Sequence, residues 1–301
     1  MENTLQKLSK YNLNHIDYKN ILWKDREIIG KGFYRDNPII IKIYSSFNYS
    51  NINDLYDELS YELYNYSLVY NLNNCCHIYG YSYYKDTNDN IEFYIILKDY
   101  KYPDLKDYTR DYILWTTFQQ REIDPNYYQF NYNNYYYIYT INKETKIKIS
   151  LGICDAIEEL HNNNIVHCDL KLENMIYDAK ENLIYLIDFG CSCNLKNESY
   201  TYSDENMGTL GYMSPDISDG YITKRGDIYS LGVLLLELWV GEIWKDGDDY
   251  TECYNEVKNS LFTLNKEEKE LSKIIKKCIS YDIKNRPYIK TVKNNLIKIF
   301  S

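Results

Sequence analysis

Apolar residues along this chain change period part-way. Residues 39–44 run almost without interruption as Ile39, Ile40, Ile41, Lys42, Ile43 and Tyr44. His77–Tyr84 and Ile91–Leu97 are β-branched and aromatic runs flanking a polar turn that begins at Lys85. Such runs, bounded by turn residues, predict strands, here Ile39–Tyr44 and a hairpin. Trp23–Ile29 reads as an earlier strand, and residues 1–22 as a polar lead-in. From Asn53 to Leu72 the period becomes helical, with Leu55, Leu59, Leu63, Tyr66 and Tyr70 on one side. Thr145–Asn162 repeats this with Ile149, Ile153, Ile157 and Leu160. Tyr229–Val240 is apolar all round, the mark of a buried helix, and helical segments continue from Asn255 to Phe300. The first part of the chain thus reads as strands with one helix, and the rest as helices.

Residues 111–142 fit neither period. They are rich in Tyr and Asn and read as a mobile insertion, with a docking surface for a partner as the alternative. Composition narrows the partners. Among 301 residues, 34 Lys and Arg face 44 Asp and Glu, a net charge of −10. That balance argues against nucleic acid, whose phosphates demand basic patches. The longest apolar run carries Glu237 and is too short to span a bilayer, so no membrane partner is expected. Eight cysteines without a paired framework, and no signal peptide, predict a reducing, cytoplasmic compartment. Cys75-Cys76 and Cys191-Ser192-Cys193 are too isolated for a zinc site.

The chemistry concentrates in His167-Cys168-Asp169-Leu170-Lys171-Leu172-Glu173-Asn174. Asp169 can orient a hydroxyl and accept its proton, Asn174 can hold a metal ion, and Lys171 can steady transferring charge. Leu183–Gly190 is then an apolar strand ending in Asp188-Phe189-Gly190, a second metal-binding carboxylate at a strand end. Together these stretches resemble the catalytic and metal-binding loops of eukaryotic-type protein kinases. Gly208–Asp216 (GTLGYMSPD) resembles the close of that family's activation segment, with Asp216 where glutamate is usual and Arg286 its expected partner. Asp227 resembles the acid that braces the catalytic loop.

The resemblance implies an α+β, two-lobed fold, with a small antiparallel β lobe carrying one helix (23–98) and a larger, mostly helical lobe (99–301). It also implies ATP and Mg2+ as cofactors, held in the cleft, and a protein substrate. Gly30 and Gly32 would open a glycine-rich loop over the phosphates, with Arg35 in place of the third glycine and a shortened second strand. Lys42 would grip phosphate and pair with a helix glutamate. Glu62, with bulky Tyr66 four residues on, is preferred to Glu58. Asp99 would lie in the hinge whose backbone meets adenine, and Asn174 and Asp188 would hold metal. Lys171 and Thr209 favour serine or threonine as acceptor. A pseudokinase scaffold is the alternative, because Cys168 stands where arginine is common, the glycine-rich loop is contracted and Asp216 replaces glutamate. A small-molecule phosphotransferase fits the GTLGYMSPD stretch less well.

Overall fold

The computed structural model describes residues 9–10, 16–24, 27–34, 37–85, 87–88, 90–109, 141–196, 198–203, 207–241, 243, 250–261, 264 and 268–301. Most of the 111–142 insertion, and Arg35, lie outside the described residues. The chain divides into two compact units, Met1–Tyr102 with Leu186–Ser192, and Pro103–Tyr185 with Cys193–Ser301. The expected division at residues 98 and 99 falls slightly earlier, and it did not include the return of residues 186–192 to the first unit.

The first unit is built on one sheet. Its strands are β1 (Ser9–Lys10), β2 (Ile16–Lys24), β3 (Glu27–Tyr34), β4 (Asn37–Ser45), β5 (Ile78–Lys85) and β6 (Ile91–Lys98), in the order β1-β5-β6-β4-β3-β2. All neighbours are antiparallel except β1 and β5. β4 lies inside the sheet, between β3 and β6, so Ile39, Ile41 and Ile43 are buried with Tyr94 and Ile96 of β6. Helix α1 (Ile52–Val69) starts at Asn51, whose side chain accepts from the Asn53 amide, and buries Leu55, Leu59, Leu63 and Tyr66. Tyr56 of α1 meets Phe93 of β6 edge to face, with ring centroids 5.7 Å apart.

Two expectations change here. Residues 16–22 of the expected lead-in belong to β2, which pairs antiparallel with β3. Gly30 and Gly32 lie within β3, opposite Ile21 and Tyr18 on one side and Ile41 and Ile39 on the other. They stand in a ladder, not in a loop, and β3 is a full strand of 8 residues. The physical reason is the flanking sequence. Glu27–Ile29 and Phe33–Tyr34 supply enough strand-forming residues to carry pairing through the glycines.

In the second unit, α2 (Lys143–Asn162) is capped by Asn142, whose Oδ1 accepts from the Thr145 amide at 2.8 Å. Three two-stranded ribbons follow, pairing β7 (Ile165–Val166) with β10 (Cys193–Asn194), β8 (Met175–Asp178) with β9 (Leu183–Leu186), and β11 (Thr201–Tyr202) with β12 (Tyr221–Ile222). Helices α3 (Pro215–Ser218), α4 (Lys224–Val240), α5 (Tyr250–Ser260), α6 (Lys269–Cys278) and α7 (Ile289–Phe300) complete it. α4 is buried along nearly its whole length, as its apolar sequence requires. A Cβ on Gly232 would stand 2.7 Å from Cys278 Cβ, so glycine is what lets the end of α6 come this close. α7 is held to α2 by Lys293, which pairs with Asp155 at 2.6 Å and with Glu158. Trp239 of α4 stacks on Phe300 of α7 at 5.5 Å.

Candidate active site

Each unit carries part of the expected set. In the first, Lys42 sits on the interior strand β4 with its side chain 6% exposed. An ammonium buried this far is unfavourable unless anions meet it. Two do: Glu62 Oε1 lies 2.7 Å and Asp188 Oδ1 3.2 Å from its Nζ. Burial alone would lower the Lys42 pKa. The carboxylates of Asp188 and Glu62 outweigh it and hold that pKa well above the ordinary lysine value. Glu62 is buried on α1, and its other oxygen accepts from the Tyr44 hydroxyl. Glu58 is exposed and takes a hydrogen bond from Tyr49 at 2.8 Å. Sequence reasoning did not single out Tyr44. The signal was available, because residues two apart on a strand share a face and Tyr44 follows Lys42 by two.

Asp188 has a positive φ of 65°, uncommon outside glycine, and its side chain is 32% exposed. Phe189 behind it is fully buried and meets Tyr66 of α1 edge to face at 5.6 Å. Asp99 follows β6. Its amide donates to Pro38 O at 3.3 Å, and its Oδ1 accepts from the Lys101 amide at 2.8 Å.

In the second unit, Asp169, Lys171 and Asn174 converge. Lys171 Nζ is 2.9 Å from Asp169 Oδ2 and donates to Thr209 Oγ1 at 2.7 Å. The Thr209 hydroxyl donates in turn to Asp169 Oδ1 at 2.6 Å. Asn174 Nδ2 donates to both the backbone oxygen and Oδ2 of Asp169, each at 2.9 Å. Gly208 lets Thr209 reach this loop, since with φ +98° a Cβ there would stand 2.5 Å from Cys168 O.

The loop is held from behind by Asp227, which is fully buried at the start of α4. Its carboxylate accepts from the amides of Cys168 and His167, both at 3.0 Å, and contacts His161 Nε2 at 2.9 Å. The N-cap of α4 is Thr223, so Asp227 is left for the loop. His161 was not singled out from sequence; at the end of an amphipathic helix it looks like any polar last-turn residue. Asp216 and the buried Arg286 form an ion contact of 2.6 Å. The shorter aspartate therefore reaches the guanidinium.

The protein kinase domain family model matches residues 84–296, well over half of the sequence. This chain belongs to the protein kinase family. Its kinase domain is 33% identical over 155 residues to the serine/threonine-protein kinase ppk16 of Schizosaccharomyces pombe, covering 50% of this chain and 22% of that one. It is 36% identical over 109 residues to the serine/threonine-protein kinase PrkC of Bacillus subtilis, covering 36% and 17%. It is also 29% identical over 142 residues to a membrane-associated tyrosine- and threonine-specific cdc2-inhibitory kinase of Drosophila melanogaster, covering 46% and 26%. The matched stretch spans well under two thirds of each relative.

The kinase domain's residues suit Mg2+. This ion prefers hard oxygen donors, usually one or two protein ligands together with phosphate oxygens and water. Asp188 offers a partly exposed carboxylate. Asn174 directs its NH2 to Asp169, which leaves its amide oxygen for another partner. No cluster of three His, Cys, Asp or Glu able to hold a metal occurs among the described residues.

Proposed function

We propose that this chain transfers the γ-phosphoryl group of Mg2+-ATP to serine and threonine hydroxyls of protein substrates. The observation that carries the reading is the Asp169 carboxylate, fixed by Lys171, Thr209 and Asn174. Thr209 already presents an alcohol O–H to Asp169 Oδ1, the contact a substrate hydroxyl would make before giving up its proton. Lys171, next to that carboxylate, balances negative charge on the transferring group. Lys42 grips phosphate and is kept cationic by Asp188 and Glu62, while Asp99 lies in the backbone segment that meets adenine. Asp188 and Asn174 would be the residues to hold Mg2+, which would supply neutralisation of phosphate charge.

On this reading residues 23–98 and 99–301 are the two lobes. The setting is a reducing cytoplasm, supported by eight cysteines of which none is in a disulfide. No helix among the described residues is long and apolar enough to cross a membrane. The position of Gly30 and Gly32 within a paired strand favours a second reading, a scaffold that binds partners without transfer. Incubation with γ-labelled ATP, Mg2+ and a mixed protein acceptor, followed by phosphoamino-acid analysis, separates them. Label on serine and threonine is expected. Label confined to tyrosine would contradict the acceptor assignment, and absence of label would favour the scaffold.

A further inference from the structure

Asn65 lies on α1 one turn after Tyr61 and is 2% exposed. Its Nδ2 donates to Phe189 O at 3.0 Å and to Ser192 O at 2.8 Å, using both amide hydrogens. Tyr61, itself 40% exposed, adds a hydroxyl hydrogen bond to the same Ser192 O at 2.8 Å. Phe189 O also accepts from the Ser192 amide at 3.1 Å, so the two side chains clasp a turn that starts one residue after Asp188. Asn65 Oδ1, by contrast, is buried and has no hydrogen-bond partner among the described residues. An asparagine at such a site loses the hydration of its oxygen without replacement, and a leucine of similar size would pack there with no unmet acceptor. What the amide offers, and leucine does not, is two donors aimed at two carbonyls of the turn.

We propose that Asn65, assisted by Tyr61, is a positioning residue for the metal-binding carboxylate. It closes the Phe189–Ser192 turn on α1 and so fixes the orientation in which Asp188 is presented. The inference rests on the reading of Asp188 as a metal ligand. Asp188 needs such a restraint because its φ of 65° is held against the ordinary preference of a non-glycine residue. The clasp also links Asp188 to Glu62, since Tyr61, Glu62 and Asn65 occupy successive positions on one helix.

The test compares the full chain with Asn65→Leu and Tyr61→Phe, using two readouts that need no turnover. Hydrogen exchange followed by mass spectrometry reports on residues 187–193, and titration of Mn2+ in the presence of ADP reports metal affinity. Asn65→Leu is expected to keep or raise the global melting temperature while the Ser192 amide exchanges faster. Loss of a partner that orients a metal ligand weakens metal binding by about 10–100-fold, and a Mn2+ Kd raised within that range is expected. Tyr61→Phe removes one oxygen from a partly exposed ring and is expected to give a smaller change of the same kind. A residue that served only to pack α1 would change global stability and leave both readouts alone. Unchanged exchange at 187–193 in Asn65→Leu overturns the proposal. If the unaltered chain fails to bind Mn2+ with ADP, the metal reading of Asp188 falls, while the exchange measurement still decides whether the clasp exists.

Discussion

At the scale of single residues, burial decides which groups can react. Burial pushes the Cys76 thiol up to about 12, and the Cys278 thiol likewise. The thiolate is the nucleophile, so near pH 8 a group with that pKa is ionised only to about one part in ten thousand. Cys75, Cys154, Cys168 and Cys253 are buried as well, whereas Cys191 and Cys193 are half-buried. Brief alkylation of the native chain, read by peptide mass spectrometry, is therefore expected to label Cys191 and Cys193 well before the other six cysteines. Early labelling of Cys168 would show the catalytic loop to be more open than its 1% exposure implies. Lys42 illustrates the opposite balance. Removing one partner of a buried ion pair costs about 3–5 kcal/mol, because the other charge stays behind. Lys42→Ala would strand Glu62 and confuse lost chemistry with lost stability, so it is a poor probe of mechanism.

At the scale of elements, the same accounting applies to the tie between the end of the activation segment and the region before α7. Arg286 meets Asp216 at 2.6 Å, donates to Ser280 O at 2.8 Å and to Arg225 O at 3.0 Å, and lies over the Tyr229 ring at 5.2 Å. The carbonyls and the ring remain when Asp216 is removed, and Asp216 Oδ1 meets the guanidinium as an ion contact without hydrogen-bond geometry, so Asp216→Ala is expected to lose less than the roughly 3–5 kcal/mol of a fully buried ion pair. Chemical denaturation checks this. A loss of less than a few tenths would show that the carbonyls alone satisfy the guanidinium. Elements with a clear period were legible from sequence. The expected helix Thr145–Asn162 is α2 to within two residues at its start, and the expected hairpin is β5 and β6. The β2–β3 pairing was not legible, because a Gly-Lys-Gly run reads locally as a turn and only pairing on both sides makes it a strand. The convergence of Asp169, Lys171 and Asn174 was legible because the three lie within six residues of one another. Tyr61 and Asn65 were not, since among 37 tyrosines and many asparagines two polar positions on a helix carry no signal until the Phe189–Ser192 turn is seen beside them.

At the scale of the whole molecule, three groups buried together in the first unit, Cys76, Tyr66 and Lys42, shift in one direction. Cys76 is raised by burial, and so is Tyr66. Lys42, which burial alone would lower, is raised by Asp188 and Glu62. A group whose folded pKa exceeds its unfolded value stabilises below the unfolded value, and that stability is lost as pH rises toward the folded one. The lowest unfolded value among the three is the ordinary thiol value of 9.0. The melting temperature is therefore expected to hold up to about pH 9 and to fall progressively above it. A melting temperature that stayed flat from there to about pH 11 would contradict the environments described for these three groups. The central claim is that Asp169 turns this fold into a phosphotransferase, and Asp169→Asn tests it most directly. Asparagine keeps the size of the side chain and can still accept through its oxygen, so the loop is expected to stay folded with a melting temperature close to that of the unaltered chain. Turnover with Mg2+-ATP and a serine- or threonine-containing protein is expected to fall by about 100-fold or more, the usual worth of a positioned general base. A variant that folds normally and transfers phosphate at a rate close to the original would contradict the account.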